Sequence, residues 1–279
     1  MQANLMDTQV KSYLEGLPKG AVFDLGGKVA LVTGGGTGIG RACALLLAKY
    51  GADVVIAART EDDLATVSRE VQDATGRRCL AVRTDLKKEE EIIALVQRTV
   101  DEFGRIDILV NNAGGDALVP IEKTSTKLFD STVSLNLRAP FLLIREAGKH
   151  MGGRGGGSII NISSEMAVRG GIGAAAYASS KLGIHALTKI ASAELGPKGV
   201  RCNCLTIGLI ASERSLAAWE QVNYPKERIA AGAPLGRLGW PVEVAYPVLF
   251  LASDASSFMS GQVFAVDGGA PVEESISLD

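Results

Sequence analysis

The chain has 279 residues, a hydrophobic fraction of 47%, and 29 Lys and Arg against 31 Asp and Glu, for a formal net charge of −2. That balance gives no electrostatic reason to expect nucleic acid or an anionic membrane surface as a partner. The longest apolar runs, such as Val29 to Val32 and Pro247 to Ala252, are too short to cross a bilayer, and residues 1–20 lack a signal-peptide pattern, so a soluble cytoplasmic protein is expected.

Residues 1–24 read as an N-terminal extension. Its Leu5, Val10, Leu14 and Leu17 fall on one apolar helical stripe that Pro18 and Gly20 end, and its expected role is packing. From Leu25 onward, strand-like and helix-like segments alternate. Strands are expected over 28–33, 53–58, 79–83, 107–111, 158–163, 201–206 and 263–266; helices over 38–50, 61–75, 87–103, 126–151, 174–195 and 242–252. The alternation predicts an α/β fold, a doubly wound parallel sheet of seven strands with helices on both faces, in one domain over 25–270 followed by a tail over 271–279. Residues 210–239 interrupt the pattern at the carboxyl end of the sheet. They are expected to form a substrate lid, in which Leu216, Trp219 and Tyr224 suit an apolar ligand.

The four cysteines, at 43, 79, 202 and 204, and the two histidines, His150 and His185, follow no metal or redox spacing. No metal site is expected, and the thiols are expected to be buried and reduced.

The stretch Lys28 to Lys49, KVALVTGGGTGIGRACALLLAK, runs from a buried strand through a glycine-rich turn into a helix. Such a turn aims backbone N–H groups and the positive end of the helix dipole at one point, where a pyrophosphate fits. Gly34 permits the tight turn, Gly38 lets the backbone approach the phosphate, and Gly40 lets helix and strand pack closely. The spacing is Gly-x-x-x-Gly-x-Gly. The second strand ends at Ala58 and is followed by Arg59, where an arginine accommodates a ribose 2′-phosphate, so NADP(H) is the expected cofactor. Asp85 after the third strand and Asn111-Asn112-Ala113-Gly114 closing the fourth stand at neighbouring strand ends, where the crevice of a doubly wound sheet opens. Tyr177 and Lys181 are four residues apart on one helix face. An ammonium held beside a phenol favours the phenolate and lowers its pKa from about 10 toward neutrality, as proton exchange with a substrate requires.

Taken together, Thr33-Gly34-Gly35-Gly36-Thr37-Gly38-Ile39-Gly40, Asn111-Asn112-Ala113-Gly114, Asn136, Ser164 thirteen residues before Tyr177, Tyr177-x-x-x-Lys181 and the ending Gly261-Gln262-Val263 to Asp267-Gly268-Gly269 resemble the short-chain dehydrogenase/reductase family, in register from about Leu25 to Gly269. The resemblance implies a Rossmann fold and an oxidoreductase passing hydride between NADP(H) and a carbonyl or alcohol, such as a 3-oxoacyl thioester. It makes Tyr177 the general acid or base, Lys181 its activator and ribose ligand, Ser164 the carbonyl-orienting hydroxyl and Asn136 the holder of a relay water. It gives the cofactor Gly34, Gly36, Thr37, Gly38, Ile39, Gly40 and Arg59, with Asp85 and Leu86 at the adenine. Asn112, Ala113 and Gly114 would lie at the adjoining ribose, and Ile210 near the nicotinamide amide. Where the family usually carries Pro-Gly this chain has Ile207-Gly208, and Ser212 stands where a threonine is usual. An enoyl- or dienoyl-thioester reductase is the second enzymatic reading, suggested by Gly114-Gly115, and a non-catalytic dinucleotide sensor or scaffold is the third. The resemblance also implies a homotetramer, or a dimer, built through helices 126–151 and 174–195 and the last strand.

Overall fold

A computed structural model describes residues 21–115, 118–151, 156–221 and 233–269. The expected N-terminal stripe, Tyr224 and the tail beyond 269 lie outside them.

Seven parallel strands form one sheet in the order β3-β2-β1-β4-β5-β6-β7. They are β1 (Val29–Thr33), β2 (Asp53–Ala58), β3 (Cys79–Arg83), β4 (Ile108–Asn111), β5 (Gly157–Ser164), β6 (Val200–Ile207) and β7 (Val263–Val266). The helices are α1 (Gly38–Lys49), α2 (Glu61–Thr75), α3 (Glu89–Phe103), α4 (Thr126–Val133), α5 (Ala139–Met151), α6 (Met166–Arg169), α7 (Ala175–Leu195), α8 (Glu213–Gln221) and α9 (Pro241–Ala252). Every residue of β1 and β4 is buried. Strands covered on both faces read as unbroken apolar runs, and this is why VALVT and ILVN carry no alternation.

Alternate residues of these strands feed two apolar layers. On one face Ala30, Val32, Val54 and Ile56 meet Leu47 of α1, Leu64 and Val67 of α2 and Val248 of α9. On the other, Leu31, Val55, Leu109 and Ile159 meet Ile92 and Leu95 of α3, Leu142 and Leu143 of α5 and Ala191 of α7. The strand order reverses between β1 and β4, where Leu31 pairs with Val55 on one side and Leu109 on the other. Ligands of open α/β sheets bind at the carboxyl ends of strands flanking this reversal.

Three local differences from the sequence expectation have physical causes. Helix α3 begins at Glu89 rather than 87 because Asp85 folds the chain into a turn, its carboxylate accepting the Lys87 N–H at 3.1 Å and its carbonyl the Lys88 N–H at 3.0 Å. The Asp107 carboxylate accepts the Val29 N–H at 2.8 Å and pairs with Arg105, so it caps the start of β1 instead of entering β4. The single helix expected over 126–151 is interrupted by a π-helical turn at Ser134–Arg138. Such a turn admits an extra residue without ending the helix, and it holds Asn136 fully buried.

All four cysteines are buried free thiols, and burial pushes Cys43, Cys202 and Cys204 up to about 12. Among the described residues no helix is long and apolar enough to cross a membrane.

Candidate active site

The loops leaving β1, β2, β3 and β4 enclose a cavity of about 530 Å³ at the strand-order reversal. Gly34, Gly36, Thr37, Gly38 and Ile39 line it from the first loop, Arg59 from the second, Asp85 and Leu86 from the third, and Asn112, Ala113 and Gly114 from the fourth.

Hydrogen bonds stitch the first and fourth loops together. Thr33 Oγ1 accepts the backbone N–H groups of Asn112 and Ala113, both at 3.1 Å, and Asn112 Nδ2 donates to Thr33 O at 2.9 Å. Gly34 takes φ +66°, which L side chains rarely adopt, and donates its N–H to Ala57 O at 2.7 Å. Gly40 is needed for space: a Cβ there would stand 2.1 Å from Gly34 O and 2.7 Å from Asn112 Nδ2. Gly40 therefore shapes the cradle from behind rather than lining it. A glycine-walled loop opening the first turn of α1 fits the phosphates of a dinucleotide, and Arg59, exposed at the rim, is a cation lining the same cavity.

The chemistry-bearing side chains converge at Gly114. A Cβ on that glycine would lie 2.9 Å from Asn136 Oδ1 and 3.2 Å from Lys181 Nζ. Asn136 is locked by two bonds to Gly115, accepting its N–H at 3.1 Å and donating Nδ2 to its carbonyl at 2.8 Å. Lys181 is only 4% exposed and donates to Ile162 O at 2.7 Å. A buried ammonium requires such polar partners. The same Nζ lies 5.9 Å from the Tyr177 ring centroid, so the i, i+4 pair on α7 places ammonium and phenol side by side. Ser164, the last residue of β5, is buried and accepts the Met166 N–H at 3.3 Å. Ile210, by contrast, packs into the apolar layer of α1 and α9 and does not line the cavity, so its approach to a ligand would run through its main chain. The retained Gly208 has a steric reason: a Cβ there would meet Asp267 Cα at 2.7 Å.

The structure adds residues that sequence reasoning missed. Thr60 and Asp63, at the start of α2, line the cavity beside Arg59, and Leu135 of the π turn closes it. Asp63 was readable as an acid in the first turn of the helix after β2, a common position for one. Ser163 Oγ donates to Lys181 O at 3.0 Å and lies 2.9 Å from His185 Nε2, tying β5 to α7 directly behind the Tyr177–Lys181 pair. With its one proton committed to that carbonyl, Ser163 accepts from the imidazole. Burial and, secondarily, Lys189 push the His185 pKa down. Next to Ser164, burial raises the Glu165 carboxyl pKa, with Arg169 opposing and Asp267 adding to the rise.

The chain is similar along most of its length to known oxidoreductases. The model of a family described as enoyl-(acyl carrier protein) reductase matches residues 34–271. A short chain dehydrogenase/reductase, astE, from Aspergillus oryzae is 41% identical over 251 residues, covering 88% of this chain and 96% of its own length. The 3-oxoacyl-[acyl-carrier-protein] reductase FabG of Chlamydia muridarum is 36% identical, covering 87% and 96%. A crystal structure from Beutenbergia cavernae, described as a putative NAD(P)-dependent gluconate 5-dehydrogenase with NADP at low occupancy, superposes with a TM-score of 0.83 at 38% identity, covering 89% and 98%. With a family model matching residues 34–271 and relatives of 36–41% identity along nearly their whole length, the chain belongs to the short-chain dehydrogenase/reductase family of oxidoreductases.

Proposed function

We propose that this protein is an NADP(H)-dependent reductase of the cytoplasm acting on a carbonyl compound with an apolar body, of the 3-oxoacyl thioester or similar ketone class, with residues 25–270 as one catalytic unit. The observation that carries the reading is the convergence of Asn136 Oδ1 and Lys181 Nζ on Gly114, with Tyr177 beside the same ammonium, at one end of the glycine cradle. When bound, the nicotinamide supplies the hydride. Tyr177 donates the proton to the substrate oxygen, Lys181 holds the phenol ready to give it up, and Ser164 fixes the carbonyl by hydrogen bond. Asn136, clamped on both sides by Gly115, anchors a water that returns the proton toward Lys181. Fixed geometry supplies a further share of the acceleration.

Arg59 supports the 2′-phosphate over a bare hydroxyl. An apolar substrate body is supported by two loops at the carboxyl ends of β4 and β5, joined by the Val119 N–H donating to Gly173 O at 2.9 Å. They expose Leu118, Ile121, Val168 and Ile172, each more than half accessible. Exposed apolar groups gathered on adjoining loops mark a binding surface rather than scattered surface residues. NADPH oxidation followed by absorbance across acetoacetyl thioester, cyclic ketones, keto-aldonates and enoyl thioesters tests both halves. Ketone-dependent turnover is expected, with Arg59→Ala lowering kcat/KM for NADPH but not NADH by about ten-fold, the worth of one charge-assisted phosphate contact. Turnover of enoyl thioesters alone would replace this reading by the enoyl reductase one, and tight NADPH binding with no turnover by a sensor or scaffold.

Homotetramer formation is the accompanying proposal. Phe141 on α5 and Leu182 and Ile190 on α7 are about half exposed, and β7 stands at the edge of the sheet with Val263 outward. Apolar helix faces and an uncapped edge strand are natural contacts between copies. Light scattering at micromolar concentration should give four protomers, or two if only one face is used; a monomer overturns the proposal.

A further inference from the structure

One backbone donor of the cradle already has an anion on it. The Gly38 N–H, at the first residue of α1, has no partner within its own helix, and it donates to Glu213 Oε2 at 3.1 Å. The other carboxylate oxygen of Glu213 lies 3.9 Å from Arg41 Nη1. Arg41 is itself engaged by Glu70 through two bonds, at 2.7 Å and 2.9 Å, so it stays in place whether Glu213 is there or not.

Glu213 is delivered to this position by the local fold. It is the first residue of α8, and the helix start is fixed by a reciprocal serine pair: Ser212 Oγ accepts the Ser215 N–H at 3.2 Å and Ser215 Oγ accepts the Ser212 N–H at 2.9 Å. The Ser215 hydroxyl donates in turn to Ile210 O at 2.5 Å. The backbone beside the cradle is close, with Ser212 Cβ 3.1 Å from where a Gly38 Cβ would stand. The Glu213 side chain itself is 65% exposed and free to rotate away.

From this we propose that Glu213 is an intramolecular competitor for the pyrophosphate of the dinucleotide, occupying its seat in the free protein and vacating it on binding. The inference rests on the dinucleotide reading of the cleft. A carboxylate on a helix N-terminal N–H exploits the same partial charge that attracts a phosphate, and one N–H cannot serve both. A dianionic pyrophosphate arriving beside a carboxylate also meets like-charge repulsion. Binding therefore includes the expulsion of Glu213, and its cost is subtracted from the affinity of every ligand that carries the pyrophosphate. NADP(H) and NAD(H) share that group, so Glu213 weakens both equally, whereas Arg59 acts on the 2′-phosphate alone.

The test is dissociation constants of NADPH and NADH, by fluorescence enhancement, for wild type, Glu213→Gln and Glu213→Ala, with adenosine 2′-monophosphate as a probe lacking the pyrophosphate. Both variants should bind both dinucleotides about three- to ten-fold more tightly, a range set by the modest worth of an exposed charge contact, with their ratio unchanged and the mononucleotide unaffected. Unchanged or weaker dinucleotide binding in both variants, with the wild type binding normally, overturns the competitor role and leaves the cofactor reading intact. A wild type that binds neither dinucleotide removes both.

Discussion

Tyr177→Phe is expected to lower kcat by about 10² to 10⁴, the usual contribution of a positioned general acid, while dinucleotide affinity stays within about two-fold of wild type. The substitution removes one oxygen and leaves the ring on α7. Lys181 keeps its bond to Ile162 O, so the ammonium and everything packed around it stay in place. A ground-state defect would raise KM, whereas loss of the proton donor appears in kcat and kcat/KM together. The pH profile gives a second readout: the wild type should show a limb for ionisation of the phenol, and the residual activity of the variant should lack it. Retention of more than a third of wild-type kcat on a ketone would move the proton-transfer role to another group.

Gly40→Ala is expected to cost about 3 kcal/mol of stability, the upper part of the overpacking range, because the offending atoms cannot step aside. The added Cβ would fall 2.1 Å from Gly34 O and 2.6 Å from Gly34 C, both backbone. For a domain of this size that corresponds to a drop in Tm of roughly 6–12 °C. The same displacement opens the loop between Gly34 and Gly38, so added NADPH should stabilise the variant far less than wild type, ligand stabilisation following RT ln(1 + [L]/Kd). Gly76→Ala is the internal comparison. Gly76 ends α2 at φ +68° and a Cβ there would meet nothing within 4 Å, so only the left-handed strain of about 1 kcal/mol remains. A loss at Gly40 no larger than that at Gly76 would show that the backbone of Gly34 yields and that crowding does not govern Gly40.

Much of this is legible in the sequence, for identifiable reasons. The bounds of β2, β3 and β7 coincide with the expected ones, because buried parallel strands are short apolar runs whose ends are punctuated by polar residues. Arg59, Asp85 and Asn112 share a cavity because right-handed crossovers bring the carboxyl ends of successive strands to one side. What escapes the sequence is contact made at long range or by one extra residue. The apolar spacing of 126–151 does not register the π turn that carries Asn136, because the flanking helical faces continue on both sides. The bond between Ser163 and His185 joins a strand to a helix and leaves no trace in either period. Glu213 reads as an ordinary acid opening a helix, and only its distance to Gly38, 175 positions earlier in the chain, gives it a second meaning.

The bridge between Ile210 and Gly239 has a consequence for how such a protein changes over generations. The Ala211 N–H donates to Gly239 O at 2.8 Å and the Gly239 N–H to Leu209 O at 3.0 Å, so both ends of the excursion are clamped to each other at the sheet. With its ends held, the intervening chain can lengthen, shorten or change composition at small cost, since doubling a closed loop adds only about 0.6 kcal/mol. Natural variation can thus accumulate between Glu213 and Gly239 while the clamp and the contact of Glu213 with the cradle are inherited unaltered.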